Sequence, residues 1–174
     1  LGGNGSGKST LLKTIAGGVS VSEGSIEYSV NGSIIEYKDL HKNISFCSPY
    51  MELIEEFSFA ELISFQGKFK PFQDGLNSKT ILELSGLNRI SNKPIRNFSS
   101  GMKQRVKLCL AIFSNASLLL LDEPTSNLDP KGKAWYRDIL NKYTQNKTVI
   151  VASNFLEEEF PEHPVLIELS NYKD

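Results

Sequence analysis

The sequence predicts an α/β fold, a sandwich on a mainly parallel core sheet with a small antiparallel hairpin and an inserted helical lobe. Three observations predict it. The chain opens on a glycine-rich loop, Gly2 to Ser9 (GGNGSGKS), which runs straight into an amphipathic helical stretch. Its second half alternates continuous apolar strands with amphipathic helices, the pattern of a parallel sheet covered on both faces. Between the two, apolar residues from Phe59 to Asn92 recur with helical spacing.

The first helix is expected over about Lys8 to Ala16. Gly24 to Val30 then alternates apolar and polar residues into Asn31-Gly32, a strong hairpin signal, with Ser33 to Tyr37 as the returning strand. A short strand near Asn43 to Cys47 ends at Ser48-Pro49. FAELISFQGKF and SKTILELSGL carry the helical spacing of the inserted lobe. That lobe is placed at residues 49–97, which leaves 1–48 and 98–174 as the core lobe. Ser99 is a fitting N-cap for a helix from Ser100 to Phe113. SLLLLDEP reads as a buried strand ending in acids, and DPKGKAWYRDILNKYT as an amphipathic helix with Pro130 near its first position. KTVIVAS and VLIEL read as two further strands.

Bulk properties narrow the function. The 174 residues suit one domain with at most a sub-lobe, and 40% hydrophobic with 22% charged residues is ordinary for a globular chain. A net charge of −1 without a dense Lys/Arg block speaks against direct nucleic-acid binding. Cys47 and Cys109 have neither zinc-site nor disulfide-framework spacing, so a reduced, cytoplasmic setting is expected. Apolar runs such as Leu118 to Leu121 are far too short to cross a bilayer, and no signal peptide is legible. Any membrane link is therefore expected to come through a partner. A phosphate-binding loop normally follows a buried strand, and this chain starts at Leu1 without an initiator Met. It is read as N-terminally truncated, with a preceding segment expected to supply further strands and stability.

The opening loop fits G-x-x-x-x-G-K-[ST]. Its glycines let the backbone wrap an anion closely, so that successive N–H groups of Asn4, Gly5, Ser6, Gly7, Lys8, Ser9 and Thr10 form a nest for phosphate oxygens. The positive end of the following helix adds to the same site. Lys8 can reach the β- and γ-phosphates, and the Ser9 hydroxyl can ligate Mg²⁺. The apolar strand delivers Asp122 and Glu123 at its C-terminal end, where ligands bind in open α/β sheets. Asp122 suits a metal-holding role, and Glu123 suits polarising a water for in-line attack.

Four segments in order resemble the nucleotide-binding ATPase subunit of an ABC transporter, a P-loop NTPase. They are GGNGSGKST (Gly2–Thr10), FSSGMKQR (Phe98–Arg105), LLLLDEPTSNLD (Leu118–Asp129) and VIVASN (Val149–Asn154). The resemblance implies ATP and Mg²⁺ as cofactors. It also implies head-to-tail pairing with a second nucleotide-binding subunit and a membrane-embedded transport subunit as partner. The protein would then sit peripherally at the cytoplasmic face of the membrane. In such a dimer Ser99, Ser100 and Gly101 form a signature loop that acts on the partner's γ-phosphate, and Asp129 contacts the partner's phosphate loop. Asn154 takes the position of the family's switch histidine. The family's metal-binding glutamine falls at Ser48 or Pro49, neither of which replaces it, and His41 and His163 read as surface residues.

With Lys8, Asp122 and Glu123 in place, the chain reads as an ATPase powering transport. The alternative is a module that dimerises on ATP with little or no hydrolysis, which the Ser48-Pro49 and Asn154 departures favour. A DNA-repair relative would need a long coiled-coil insertion for which the span from Lys8 to Gly101 has no room. A small-molecule kinase would not need FSSGMKQR.

Overall fold

In the computed structural model, which describes residues 1–3, 5–154 and 159–172, the glycine-rich loop turns directly into helix α1 (Lys8–Ile15). Asn31 and Gly32, at φ 50° and 78°, make the tight turn between β1 (Ser29–Val30) and β2 (Ser33–Ile34), which pair antiparallel. These strands are shorter than the alternating runs around them. Ile34 is 69% exposed, and the residues that pack against the α1-side core are the flanking Tyr28 and Ile35 rather than the strands themselves; isolated hairpins are marginal in water.

Helix α2 (Leu40–Asn43) leads into β3 (Ile44–Cys47). Helix α3 (Phe59–Gly67) begins at a reciprocal cap. The Ser58 N–H donates to Glu61 Oε2 (2.7 Å), and the Glu61 N–H donates to Ser58 Oγ (3.3 Å). Helix α4 (Ser78–Ser85) is capped by Asn77, whose Oδ1 accepts from the Thr80 N–H at 2.9 Å. Helix α5 (Ser100–Ile112) is capped by Ser99 as the sequence predicts. Strand β4 (Leu118–Asp122), helix α6 (Pro130–Tyr143) and strand β5 (Thr148–Ala152) complete the core, with Pro130 in the first turn of α6.

The sheet runs β3-β4-β5, all parallel, with Ser45 opposite Leu119 and Leu119 opposite Val149. A central parallel strand is buried on both faces, which is why β4 is a run of leucines. Side chains alternate along it. Leu119 and Leu121 join the larger core with Val106, Leu108, Ile112 and Tyr136. Leu120 joins Leu12, Leu40, Ile44 and Ala152 on the α1 side. The larger core continues without a break to Phe59, Ile63 and Ile81 of α3 and α4.

The VLIEL stretch does not form the strand its composition suggests. Val165, Leu166 and Ile167 are 91%, 58% and 57% exposed. Backbone pairing with Leu1 covers a single residue: the Leu1 amino group donates to the Ile167 carbonyl, and the Leu169 N–H donates to the Leu1 carbonyl at 3.0 Å. A ladder one residue long does not offset the entropy of ordering a strand. Beside it lies a slot of about 650 Å³ lined by Leu1, Val149, Val151, Pro164, Leu166 and Ile167. Among the described residues no helix is long and apolar enough to cross a membrane.

The phenylalanines of residues 57–72 divide. Phe59 is fully buried, whereas Phe65 and Phe69 are 41% and 67% exposed. Phe57, Phe65 and Phe69 stack edge to face, with successive centroids 5.7 and 5.1 Å apart. His41 and His163 are both exposed, as expected.

Candidate functional site

The C-terminal ends of β4 and β5 meet the start of α1, and this junction gathers the candidate residues. Gly5 and Gly7 hold φ of 76° and 95°, and Gly7 is the left-handed N-cap of α1. A side chain there would be strained, and both positions face open space. Asn4, a candidate of the same loop, lies outside the described residues. The Ser6 Oγ is buried without a partner among the described residues. Ser9, half-buried, and Thr10, exposed, follow in the first turn of α1.

Lys8 is only 7% exposed. Its ammonium donates to the Gly2 carbonyl (2.6 Å), the Gly3 carbonyl (2.9 Å) and Asn154 Oδ1 (2.7 Å). The Asn154 amide in turn donates to Glu123 Oε1 at 2.8 Å. Asn154 therefore bridges the loop lysine to the carboxylate at the end of β4, using its acceptor on one and its donor on the other.

Glu123 sits at φ 43°, a left-handed conformation that costs a non-glycine residue about 1–3 kcal/mol. Its N–H donates to the Ala152 carbonyl (2.9 Å), which ties it to the end of β5. Asp122 is 1% exposed. Its Oδ2 accepts from the Ser48 hydroxyl (3.3 Å), and its Oδ1 has no partner among the described residues. A buried carboxylate oxygen without a donor is a costly arrangement that a bound cation relieves, so the donor set of Asp122 with the Ser9 hydroxyl fits Mg²⁺. In the sequence Ser48 is only a departure from a motif; 1% exposed, it is the residue that meets Asp122. The Pro49 carbonyl instead accepts from Lys107 at 2.6 Å.

Ser99, Ser100 and Gly101 lie away from this junction, at the start of α5. Ser99 and Ser100 are exposed, and Ser99 Oγ accepts from the Met102 N–H (3.3 Å). Asp129 is likewise exposed and caps α6, its Oδ1 accepting from the Gly132 N–H at 2.7 Å. A Cβ on Gly101 would fall 2.9 Å from the Asn127 carbonyl oxygen, so α5 approaches the 123–129 loop closer than any side chain allows. Gly101→Ala must push that backbone apart. It is expected to destabilise the chain by roughly 1–3 kcal/mol, read as a lowered midpoint in urea denaturation.

Two residues of this region escape sequence reasoning. Gln104, 1% exposed, donates to the Pro124 carbonyl at 2.9 Å. Glu159, also 1% exposed, accepts from Thr125 through its Oε1. Nothing local to either residue marks it, since both partners are distant in sequence.

An α/β sheet with a phosphate loop, an acidic strand end and a capped signature-like helix defines a nucleotide-binding cassette. The chain belongs to the ABC transporter family, whose model matches residues 1–126. The lantibiotic transport ATP-binding protein SrtF of Streptococcus pyogenes is 34% identical over 172 residues, covering 91% of this chain and 68% of that protein. The ABC transporter ATP-binding protein YybJ of Bacillus subtilis is 31% identical, covering 98% and 78%. Among solved structures, the dimeric bacterial ABC transporter cassette MJ0796 superposes with a TM-score of 0.74 at 25% identity, covering 91% of this chain and 74% of that one.

Proposed function

We propose that this chain is the ATP-binding and ATP-hydrolysing subunit of an ABC transporter, powering transport through a separate membrane subunit. The Lys8–Asn154–Glu123 chain, beside an Asp122 oxygen without a partner among the described residues, carries the reading. It joins a phosphate-binding cation, a metal-binding acid and a candidate base in one junction. The ATP-binding names of SrtF and YybJ support the nucleotide. The dimeric state of the MJ0796 cassette supports pairing with a second copy of the same subunit.

The residues divide the work. Backbone N–H groups of the 4–10 loop and the Lys8 ammonium would bind the phosphates, with Lys8 exchanging its carbonyl partners for phosphate oxygens. Ser9 and Asp122 would hold Mg²⁺, which neutralises charge on the phosphate oxygens. Glu123 would orient a water and accept its proton, while Asn154 fixes that carboxylate and donates toward the γ-phosphate. Ser99, Ser100 and Gly101 would complete the partner's site across the dimer, and Asp129 would meet the partner's phosphate loop. Residues 49–97 would form the lobe that faces the membrane subunit, and the subunit would lie at the cytoplasmic face. The protein is expected to bind Mg-ATP in calorimetry and to double its mass in light scattering when ATP is added. A monomer at saturating nucleotide would count against the dimeric site.

The site has an amide where it could have had a titrating ring. Turnover is therefore expected to show no limb near pH 6.5 in the native protein, whereas Asn154→His introduces one. The pH profile of kcat in both proteins checks this.

A second reading, an ATP-gated dimerising module with little hydrolysis, is favoured by the short Ser48 hydroxyl standing against Asp122, since the resemblance implies a glutamine at Ser48 or Pro49. Turnover separates the two.

A further inference from the structure

We propose that Glu159 is a positioning residue, a latch that ties the 123–129 loop to the segment after β5 and so holds Glu123 in its left-handed working conformation. Its kinetic consequence rests on the ATPase reading above, while the latch itself stands on geometry. Glu159 Oε1 accepts both donors of Thr125, the N–H at 3.1 Å and the hydroxyl at 2.7 Å. Its main-chain carbonyl accepts from the Tyr136 hydroxyl at 2.9 Å, and Tyr136 is fully buried in α6. Both ends of the residue are thus held. Its Oε2 meets no donor among the described residues. A carboxylate buried this way stabilises less than an apolar side chain of the same volume would. What the carboxylate supplies that an apolar chain cannot is an acceptor for two donors on one residue of the loop.

Thr125 lies two residues beyond Glu123. The chain leaving β5 therefore grips this stretch at three points. Ala152 takes the Glu123 N–H (2.9 Å), Asn154 donates to the Glu123 carboxylate (2.8 Å), and Glu159 holds Thr125. Gln104 holds the opposite side through the Pro124 carbonyl (2.9 Å). Loss of Glu159 leaves that second hold intact, so the loop loosens while the fold survives. Glu123 can then relax toward ordinary dihedrals and carry its carboxylate off line. A displacement of about 1 Å in a positioned group costs on the order of 10²-fold in rate.

Two measurements on the protein test the latch. In steady-state phosphate release, Glu159→Ala is expected to lower kcat about 10- to 100-fold with KM for Mg-ATP within about twofold of wild type. Glu159→Gln keeps the acceptor oxygen and is expected to restore kcat to within about threefold. Thr125→Val added to Glu159→Ala should cost nothing further, since the two act as a unit. In hydrogen exchange, the Thr125 amide is expected to exchange at least about tenfold faster in Glu159→Ala and at the wild-type rate in Glu159→Gln. Unchanged exchange at Thr125 in the alanine variant overturns the latch. So does a kcat per folded molecule equal to wild type alongside a lowered melting temperature, which is the mark of packing alone. A wild type silent in phosphate release counts against the ATPase reading, and exchange at Thr125 still judges the latch.

Discussion

Replacing Glu123 by Gln is expected to lower Mg-ATP turnover by about 10²- to 10⁴-fold, the usual contribution of a positioned base. Gln keeps an oxygen where Glu123 Oε1 accepts from Asn154, so the local geometry should survive the exchange. It also keeps the length needed at a backbone held at φ 43°. What it loses is the ability to take a proton from water. Mg-ATP binding should therefore persist, and an ATP-bound dimer should accumulate because its consumption has stopped. Light scattering with ATP and parallel phosphate release read both halves of the result. A variant that turns over at the wild-type rate would assign the base to another group.

Replacing Lys8 by Ala is expected to weaken Mg-ATP binding about 10- to 100-fold. Hydrogen bonds made by a charged group are worth about 1.5–3 kcal/mol each, and each 1.4 kcal/mol is about tenfold in affinity. Lys8 is poised for the exchange, because its ammonium is already held by two loop carbonyls and by Asn154. The alanine variant also frees the Asn154 acceptor, so turnover should fall further than affinity. Calorimetry and kcat measured on the same preparation separate the two effects. An unchanged dissociation constant would remove Lys8 from the phosphate site.

The legible parts of this chain are those whose physics is local. The Gly2–Ser9 loop, the Ser99 cap, Pro130 at the start of α6 and the Leu118–Leu121 strand with its trailing acids each carry their cause within a few residues. The illegible parts are contacts between distant segments. Ser48 meets Asp122 across the β3–β4 pair, Gln104 reaches Pro124, and Glu159 crosses to Thr125. In the sequence Glu159 is the last acid of an acidic run, LEEEF, with nothing to set it apart from its neighbours, and the fold buries it. VLIEL fails in the opposite sense, because a strand needs a neighbour as well as a composition, and Leu1 supplies one residue of ladder. Asn154 lies between these cases. Its place is legible from the resemblance, but its bridge from Lys8 to Glu123 required the fold.

The junction of Lys8, Asp122, Glu123 and Asn154 is proposed to hydrolyse ATP. Steady-state phosphate release by the wild-type protein with Mg-ATP, alone and with a candidate membrane subunit, decides whether it does. The expected result is sustained release that saturates with Mg-ATP and requires Mg²⁺. Saturable ATP binding and dimerisation with no release under either condition would contradict it, and would assign the chain to ATP-gated association instead.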